Sequence, residues 1–205
     1  MCIVNRLNNR ALPLLVGLAL SIGAVGSGFL SGSDHLEGAQ LAARWTSRVG
    51  LPIFLIAYLA SSLYRLWRNE LTAALIARRR QWGLAFTWTH SVHLVALTYF
   101  LTIAGTPPVL ATVLGGGLAY LMIYLMALTS NNWSVKRLGA NWKRIHSFGI
   151  HYIWFIYIVT YAGRFGDPGL QHIGFIGSGL LLGAFSLRLI ARWKKPASKA
   201  AAGKS

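Results

Sequence analysis

The chain has 205 residues, of which 55% are hydrophobic and 12% are charged. A soluble domain usually carries about twice that charged fraction, so the composition indicates a membrane protein. Only four acidic residues oppose 20 basic ones, giving a net charge of +16. The basic residues lie between apolar runs and form no nucleic-acid-binding motif. We therefore predict a lipid bilayer, and no nucleic acid, as the partner of this chain.

Six apolar runs are each long enough, at roughly 20 residues, to cross a bilayer. In chain order, the predicted spans cover residues 12–30, 49–64, 82–105, 109–129, 145–162 and 173–190. The first run is interpreted as a span rather than as a cleaved signal peptide. The expected fold is an all-α integral membrane bundle of six transmembrane helices over residues 1–193. Residues 194–205 form a basic cytoplasmic tail that is expected to be disordered.

The basic residues predict the orientation of these spans, because cytoplasmic loops carry an excess of Lys and Arg. If both termini are cytoplasmic, 17 of the 20 basic residues lie on the cytoplasmic side. The three on the opposite side are Arg44, Arg48 and Arg164. Glycines within the spans predict close packing between helices. They are Gly17, Gly23, Gly26 and Gly28 in the first span, Gly115 to Gly117 in the fourth, and Gly179 with Gly183 in the sixth.

Four histidines lie in or beside two of the spans: His90 and His93 in the third, His146 and His151 in the fifth. Ionisable side chains inside membrane segments are usually there for function. Two helices that present imidazoles can hold a haem iron from both sides. Neither span carries the carboxylate or thiolate that would complete a zinc or non-haem iron site. We predict that two of the four histidines bind haem iron, and no catalytic residue is predicted.

Depth and rotation rank the possible histidine pairs. Depth is measured from the cytoplasmic end of each span, at ~1.5 Å per residue. His90 and His93 then lie roughly 15 and 20 Å into the third span. In the fifth span, His146 lies about 3 Å deep and His151 about 10 Å deep. His90 with His151 is the best match in depth, and His93 with His151 is next. His90 and His93 share a helix face, whereas His146 and His151 are about 140° apart. The aromatic residues predicted to line the haem pocket are Phe86, Trp88, Trp154, Phe155 and Tyr157.

Two stretches of the chain resemble a known membrane family. Residues 79–84 (RRQWGL) and 91–94 (SVHL) are similar to the third-helix pattern of the ferric reductase-like transmembrane domain. The likeness is greatest to the haem-binding membrane subunit of the periplasmic methionine sulfoxide reductase system. Residues 128–130 (LTS), 136–139 (KRLG), Trp142 and His146 are similar to the loop and fifth helix of that subunit, and residues 46–48 (TSR) match more loosely. The resemblance covers about residues 40 to 165.

The resemblance implies haem b as the cofactor, with one haem favoured, and FMN or quinone as further candidates. His93 and His146 correspond to family histidines implicated in haem binding. A further family histidine, thirteen residues after His146, is replaced here by Val159. We therefore expect this chain to hold its haem nearer the cytoplasmic side, with His151 opposite His90 or His93.

The resemblance also implies an electron-transport subunit of an oxidoreductase system, in the bacterial inner membrane, rather than a self-sufficient enzyme. Electrons would come from a cytoplasmic flavin reductase or quinol and pass to a periplasmic reductase such as methionine sulfoxide reductase. The basic loops around Arg80 and Lys136 are candidate docking sites for the donor. The outer loops with His35, Glu37, Arg44 and Arg164 are candidate docking sites for the acceptor. Two alternatives stay open, a stand-alone ferric reductase-like oxidoreductase served by a separate reductase chain, and a non-redox membrane subunit.

Overall fold

The computed structural model describes residues 9–194, and within them every regular element is a helix. Cys2 and the part of the predicted basic tail after Lys194 lie outside the described residues. In chain order the helices are α1 (Leu12–Ser31), α2 (His35–Leu66), α3 (Glu70–Ala77), α4 (Arg79–Ala104), α5 (Leu110–Leu128), α6 (Asn132–Leu138), α7 (Ala140–Ala162) and α8 (Gln171–Trp193).

The six long helices coincide with the six apolar runs, but α2 begins well before residue 49, where the sequence placed its start. The Asp34 side chain caps this helix by accepting a hydrogen bond from the Glu37 backbone N–H at 2.8 Å. The Glu37 carboxylate in turn accepts one from the Ser33 backbone N–H, also at 2.8 Å. Such reciprocal capping satisfies backbone donors that a helix leaves free at its first turn. Hydropathy missed this extension because Arg44 and Arg48 interrupt the apolar pattern.

Two short helices, α3 and α6, were not predicted and occupy the connections before α4 and α7. Each begins at an asparagine that serves as an N-cap. The Asn69 side chain accepts a hydrogen bond from the Thr72 N–H at 2.9 Å, and the Asn131 side chain accepts one from the Ser134 N–H at 2.7 Å. Asparagine favours this position because its short side chain reaches the free N–H groups of the first turn.

Four of the described helices, α1, α2, α5 and α8, are long and apolar enough to cross a membrane. The other two long helices, α4 with 26 residues and α7 with 23, are of comparable length. They are less apolar because they contain the four histidines and begin with basic residues, among them Arg79 and Lys143. The protein is therefore an all-helical membrane protein with at least four candidate spans.

Helix α2 lies at the centre of the bundle and packs against α1, α4 and α8, while α7 packs against α5 and α8. An aromatic cluster fills the middle of the molecule. The ring of Phe54 in α2 lies 5.3 Å from those of Tyr58 and Phe86 and 5.4 Å from that of Tyr157, centroid to centroid. The backbones of α4 and α7 make little contact in the described part of the chain. This separation leaves room for a cavity between the two histidine-bearing helices.

The predicted close packing is absent at six glycines, since a Cβ atom added there would meet nothing within 4 Å among the described residues: Gly23, Gly26, Gly116, Gly117, Gly179 and Gly183. Gly177 packs instead, because a Cβ there would lie 2.1 Å from Cδ1 of Tyr161. At Gly28 the prediction is confirmed, with an added Cβ 2.4 Å from the backbone nitrogen of Ala42. Spacing alone does not show which face of a glycine-rich helix meets a neighbour.

Candidate functional site

A cavity of about 630 Å³ lies between α2, α4, α5 and α7. This volume is within the range of ~300–1,000 Å³ that is typical of sites for small molecules and cofactors. Apolar side chains form most of its walls, and polar groups reach it from each of the four helices. Those that the following paragraphs use are Arg44, Arg48, His90, His93, Tyr120 and Tyr157.

His93, on α4, is held by a hydroxyl from α2. Its Nδ1 lies 3.2 Å from Oγ1 of Thr46, a side chain that is fully buried. The Thr46 hydroxyl also lies 2.8 Å from the carbonyl of Ala42 and 3.0 Å from that of Ala43. A hydroxyl has a single proton, and because these carbonyls can only accept, Thr46 accepts from the Nδ1–H of His93. The proton on Nδ1 leaves Nε2 of a cavity-lining imidazole free to act as a ligand.

His90, one turn earlier on α4, is wedged between α2 and α7. Its Nε2 lies 3.1 Å from the hydroxyl oxygen of Tyr157, and its Nδ1 is buried with no hydrogen-bond partner among the described residues. The ring centroid lies 4.2 Å from that of Phe86. A Cβ added at Gly50 would lie only 2.3 Å from Cε1 and 2.8 Å from Nδ1 of His90. Glycine at position 50 is therefore what admits the imidazole between the helices.

The structure brings His90 and His93 together, as their spacing predicted. Their ring centroids are 5.8 Å apart in an edge-to-face arrangement, and both rings line the cavity from the α4 side.

His146 and His151, on α7, lie outside the cavity lining. The Nε2 of His146 lies 2.9 Å from Oγ1 of Thr129, and its ring stacks on Trp142 with centroids 4.0 Å apart. His151 donates its Nδ1–H to the carbonyl of Ser147 at 2.6 Å. Depth along the bundle paired His151 with His90, but depth does not say which way a side chain faces. An iron-binding role for His146 or His151 stays a prediction.

Three arginines line the cavity at the end where α7 finishes: Arg44 and Arg48 from α2, and Arg164. Arg164 lies 3.9 Å from the carboxylate of Asp167, in the one ion pair found within residues 9–194. Arg44 and Arg48 thus present positive charge to the cavity without a carboxylate partner there. Half-buried cations of this kind complement an anionic ligand. From the sequence, Arg44 and Arg164 are expected to dock a partner, whereas in the structure both line the cavity.

The aromatic residues that line the cavity differ from those predicted to line the haem pocket. Of the five aromatic residues expected to line it, only Tyr157 does so. Phe86 packs on His90 from behind, whereas Trp88 and Phe155 are about half exposed on the outside of the bundle and Trp154 donates its indole N–H to Leu181 at 2.9 Å.

Thr46, Gly50 and Tyr120 were not predicted from the sequence to belong to this site. For the wall formed by α2, the sequence does carry a recognisable pattern. Gln40, Arg44 and Ser47 recur at helical spacing in an otherwise apolar helix, and all three line the cavity. A polar stripe of that period indicates one helix face with a common environment.

Comparison with known proteins gives this cavity a context. The chain is 30% identical over 145 residues to the heme-binding subunit MsrQ of the protein-methionine-sulfoxide reductase from Cronobacter sakazakii, covering 63% of this chain and 70% of that protein. The chain belongs to the MsrQ family. It is also 29% identical to MsrQ of Yersinia pseudotuberculosis over 163 residues, covering 70% of this chain and 72% of the relative. It is 29% identical to MsrQ of Yersinia enterocolitica over 136 residues, covering 58% of this chain and 65% of the relative. No family model and no solved structure matches the chain.

Membership of the MsrQ family confirms the resemblance inferred from the third-helix and fifth-helix motifs. Val159, the position at which that resemblance expects a histidine, lines the cavity on α7. In this MsrQ-family chain the expected position of the second histidine thus lies at the cavity wall, with a half-exposed side chain that cannot bind a metal.

Proposed function

We propose that this chain is the membrane subunit of a methionine sulfoxide reductase system and binds b-type haem in the cavity between α2, α4, α5 and α7. The observation that carries the proposal is His93. Its Nδ1–H is held by Thr46 and its ring lines a cavity of cofactor size. The MsrQ relatives are named as heme-binding subunits, which supports the same ligand here.

The cavity residues fit the chemical needs of haem. Within residues 9–194, no three His, Cys, Asp or Glu side chains gather into a metal-binding group, but the haem macrocycle brings its own four nitrogen ligands, so axial residues suffice. Apolar side chains such as Ile123 and Ile153 would exclude water from the macrocycle. Arg44 and Arg48 would complement its propionates. When bound, haem b supplies a one-electron ferric/ferrous couple, and the protein sets its ligation, burial and orientation.

The proposed topology has six spans and two cytoplasmic termini. At ~1.5 Å per residue, α4 and α7 are about 39 and 35 Å long, enough to cross the ~30 Å hydrocarbon core. Arg44, Arg48 and Arg164 are the three basic residues on the outer side of this topology. In this topology the cavity lies in the outer half of the bundle. A haem bound by His151 was expected to lie nearer the cytoplasmic side.

In the proposed reaction sequence, electrons enter at the cytoplasmic face of the bacterial inner membrane and leave to a periplasmic reductase. A cytoplasmic flavin reductase, through FMN, or a membrane quinol would be the donor. At that face Arg80 donates to the carbonyl of Ser130, and Arg65 donates to that of Lys194 at 2.7 Å, so both tie loops together. The exposed Lys136 and Lys143 remain to attract an acidic donor protein.

Substitution of His93 tests haem binding directly. Purified in mild detergent after expression with adequate haem supply, the unaltered chain should show a Soret band and sharp reduced bands with dithionite. His93→Ala should lose most of this absorbance because the axial ligand is gone. His172→Ala, at an exposed histidine outside the cavity lining, is the matched control and should keep it. Full haem content in His93→Ala, or no haem in the unaltered chain, would contradict the proposal.

A further inference from the structure

We infer that haem in this cavity has a single histidine ligand, His93, and an open sixth coordination position that accepts a small exogenous ligand. The inference rests on the proposed haem binding and concerns only how this chain ligates the iron. It departs from the two-histidine arrangement that the sequence predicted.

Two axial histidines must approach an iron from opposite faces of the macrocycle, and therefore from opposite walls of the cavity. The two imidazoles that line this cavity are three residues apart on α4, so they share one wall. Both side chains project from the same face of α4. A macrocycle placed between them would therefore clash with the helix itself. Only one of the two can serve as an axial ligand.

The surroundings of the two rings decide which one it is. Both nitrogens of His90 face protein: Nε2 lies 3.1 Å from the Tyr157 hydroxyl, and Nδ1 lies against Gly50, where a Cβ atom would come within 2.8 Å. His93 has only its Nδ1 engaged, by Thr46. An Nδ1–H bonded to an oxygen, with Nε2 left for the metal, is the usual arrangement of a metal-binding imidazole.

The opposite wall offers no second imidazole. It is formed by α7, whose cavity-lining side chains are Ile153, Ile156, Tyr157, Val159, Thr160 and Tyr161. Neither methionine nor cysteine lines any wall of the cavity. The α7 histidines are engaged elsewhere, His146 with Thr129 and His151 with the carbonyl of Ser147.

The cavity also holds a polar group that suits an exogenous ligand. The hydroxyl of Tyr120 is buried, lines the cavity and has no hydrogen-bond partner within the described residues. A buried hydroxyl is costly to leave unpaired. It is a ready donor to a diatomic molecule such as carbon monoxide or to a small anion such as azide. Small ligands of this class are therefore expected to bind to the iron.

The test is spectroscopic and uses the purified haem-loaded chain. Carbon monoxide added to the dithionite-reduced protein should shift the Soret band in nearly all molecules, and the ferric protein should give a high-spin electron paramagnetic resonance signal. Val159→His places an imidazole on the opposite wall. This variant should become low-spin, and the fraction that responds to carbon monoxide should fall at least tenfold.

Phe155→His is the matched control, because position 155 is on the same helix but outside the cavity lining, and it should behave like the unaltered chain. A low-spin unaltered chain that ignores carbon monoxide would overturn the single-ligand inference and leave the proposed haem binding intact. A preparation without haem would overturn both. The carbon monoxide result on the unaltered chain stands even if Val159→His fails to fold.

Discussion

At the scale of single residues, the hydroxyl of Thr46 determines which nitrogen of His93 carries the proton. Its own proton is directed to a carbonyl of α2, so it can only accept from the imidazole at 3.2 Å. Without that acceptor, the ring could adopt either tautomer and rotate, and Nε2 would no longer be pre-positioned for a metal. Groups that orient a ligand in this way commonly matter about 10–100-fold for metal affinity.

Thr46→Val is therefore expected to weaken haem binding by about 10–100-fold with little change in the fold, since valine has nearly the same shape. The matched control is Thr89→Val. Thr89 is also fully buried, but its hydroxyl donates to Ala85 in its own helix at 2.8 Å and it does not line the cavity. Haem titration of the haem-depleted proteins measures the difference. Equal affinities for the two variants would show that Thr46 does not position His93.

At the scale of helices, Gly50 allows α2, α4 and α7 to meet around one imidazole. The His90 ring fills the space that a side chain at position 50 would need, and the Tyr157 hydroxyl would also lie 3.0 Å from an added Cβ. Pro52, two residues further along α2, has no N–H to donate to the helix. This stretch of α2 thus combines a close helix contact beside the cavity with a locally interrupted hydrogen-bond ladder.

Gly50→Ala should lower the free energy of unfolding by about 1–3 kcal/mol, the usual cost of overpacking a filled interior. Gly23→Ala is the control, because a Cβ there meets nothing within 4 Å, and it should be neutral or slightly stabilising since alanine favours the helix. The double variant Gly50→Ala/His90→Ala should lose most of the added cost, since the clashing ring is absent. Unfolding in detergent with increasing denaturant measures each value. If the two changes are additive, the contact between Gly50 and His90 is not the cause.

At the scale of the whole molecule, positive charge is gathered at one end of the bundle with almost no carboxylates to pair with it. Part of it is used internally. The Arg188 guanidinium lies 4.2 Å from the Tyr58 ring and donates to the Tyr58 carbonyl, and Arg79 donates to the carbonyl of Ala57 at 3.1 Å. The other, exposed basic residues at this end are the ones that the positive-inside rule counts. The same cations thus tie helices together and orient the chain.

The proposed orientation predicts which introduced cysteines are accessible from outside the cell. In a Cys2→Ser background, Thr106→Cys, between α4 and α5, should react with a membrane-impermeant maleimide on intact cells. Lys136→Cys, in α6, should react only after the membrane is opened. Both positions are exposed, so burial does not account for a difference. The reverse pattern of labelling would invert the topology, and labelling of both on intact cells would show that α5, the long helix between the two positions, does not cross the membrane.

The residues themselves determined six long apolar helices, a membrane setting and the family, because hydropathy, capping and motif spacing are local properties of the chain. They also placed His90 and His93 on one face, because a spacing of three residues along a helix fixes the angle between two side chains whatever surrounds the helix. The close approach of α2 and α4 at Gly50, and the hydroxyl of Thr46 beside His93, have no such local signature. Both depend on contacts between distant parts of the chain.

Packing between the helices sets which histidines share a cavity. Distance along the membrane normal made His151 the natural partner of His90, but the packing of α7 against α5 and α8 sets its rotation and directs Val159 and Tyr157 to the cavity instead. A helix can rotate about its axis without changing the depth of any residue. The sequence therefore determined how far along the bundle each imidazole lies, and packing between helices determined what it faces.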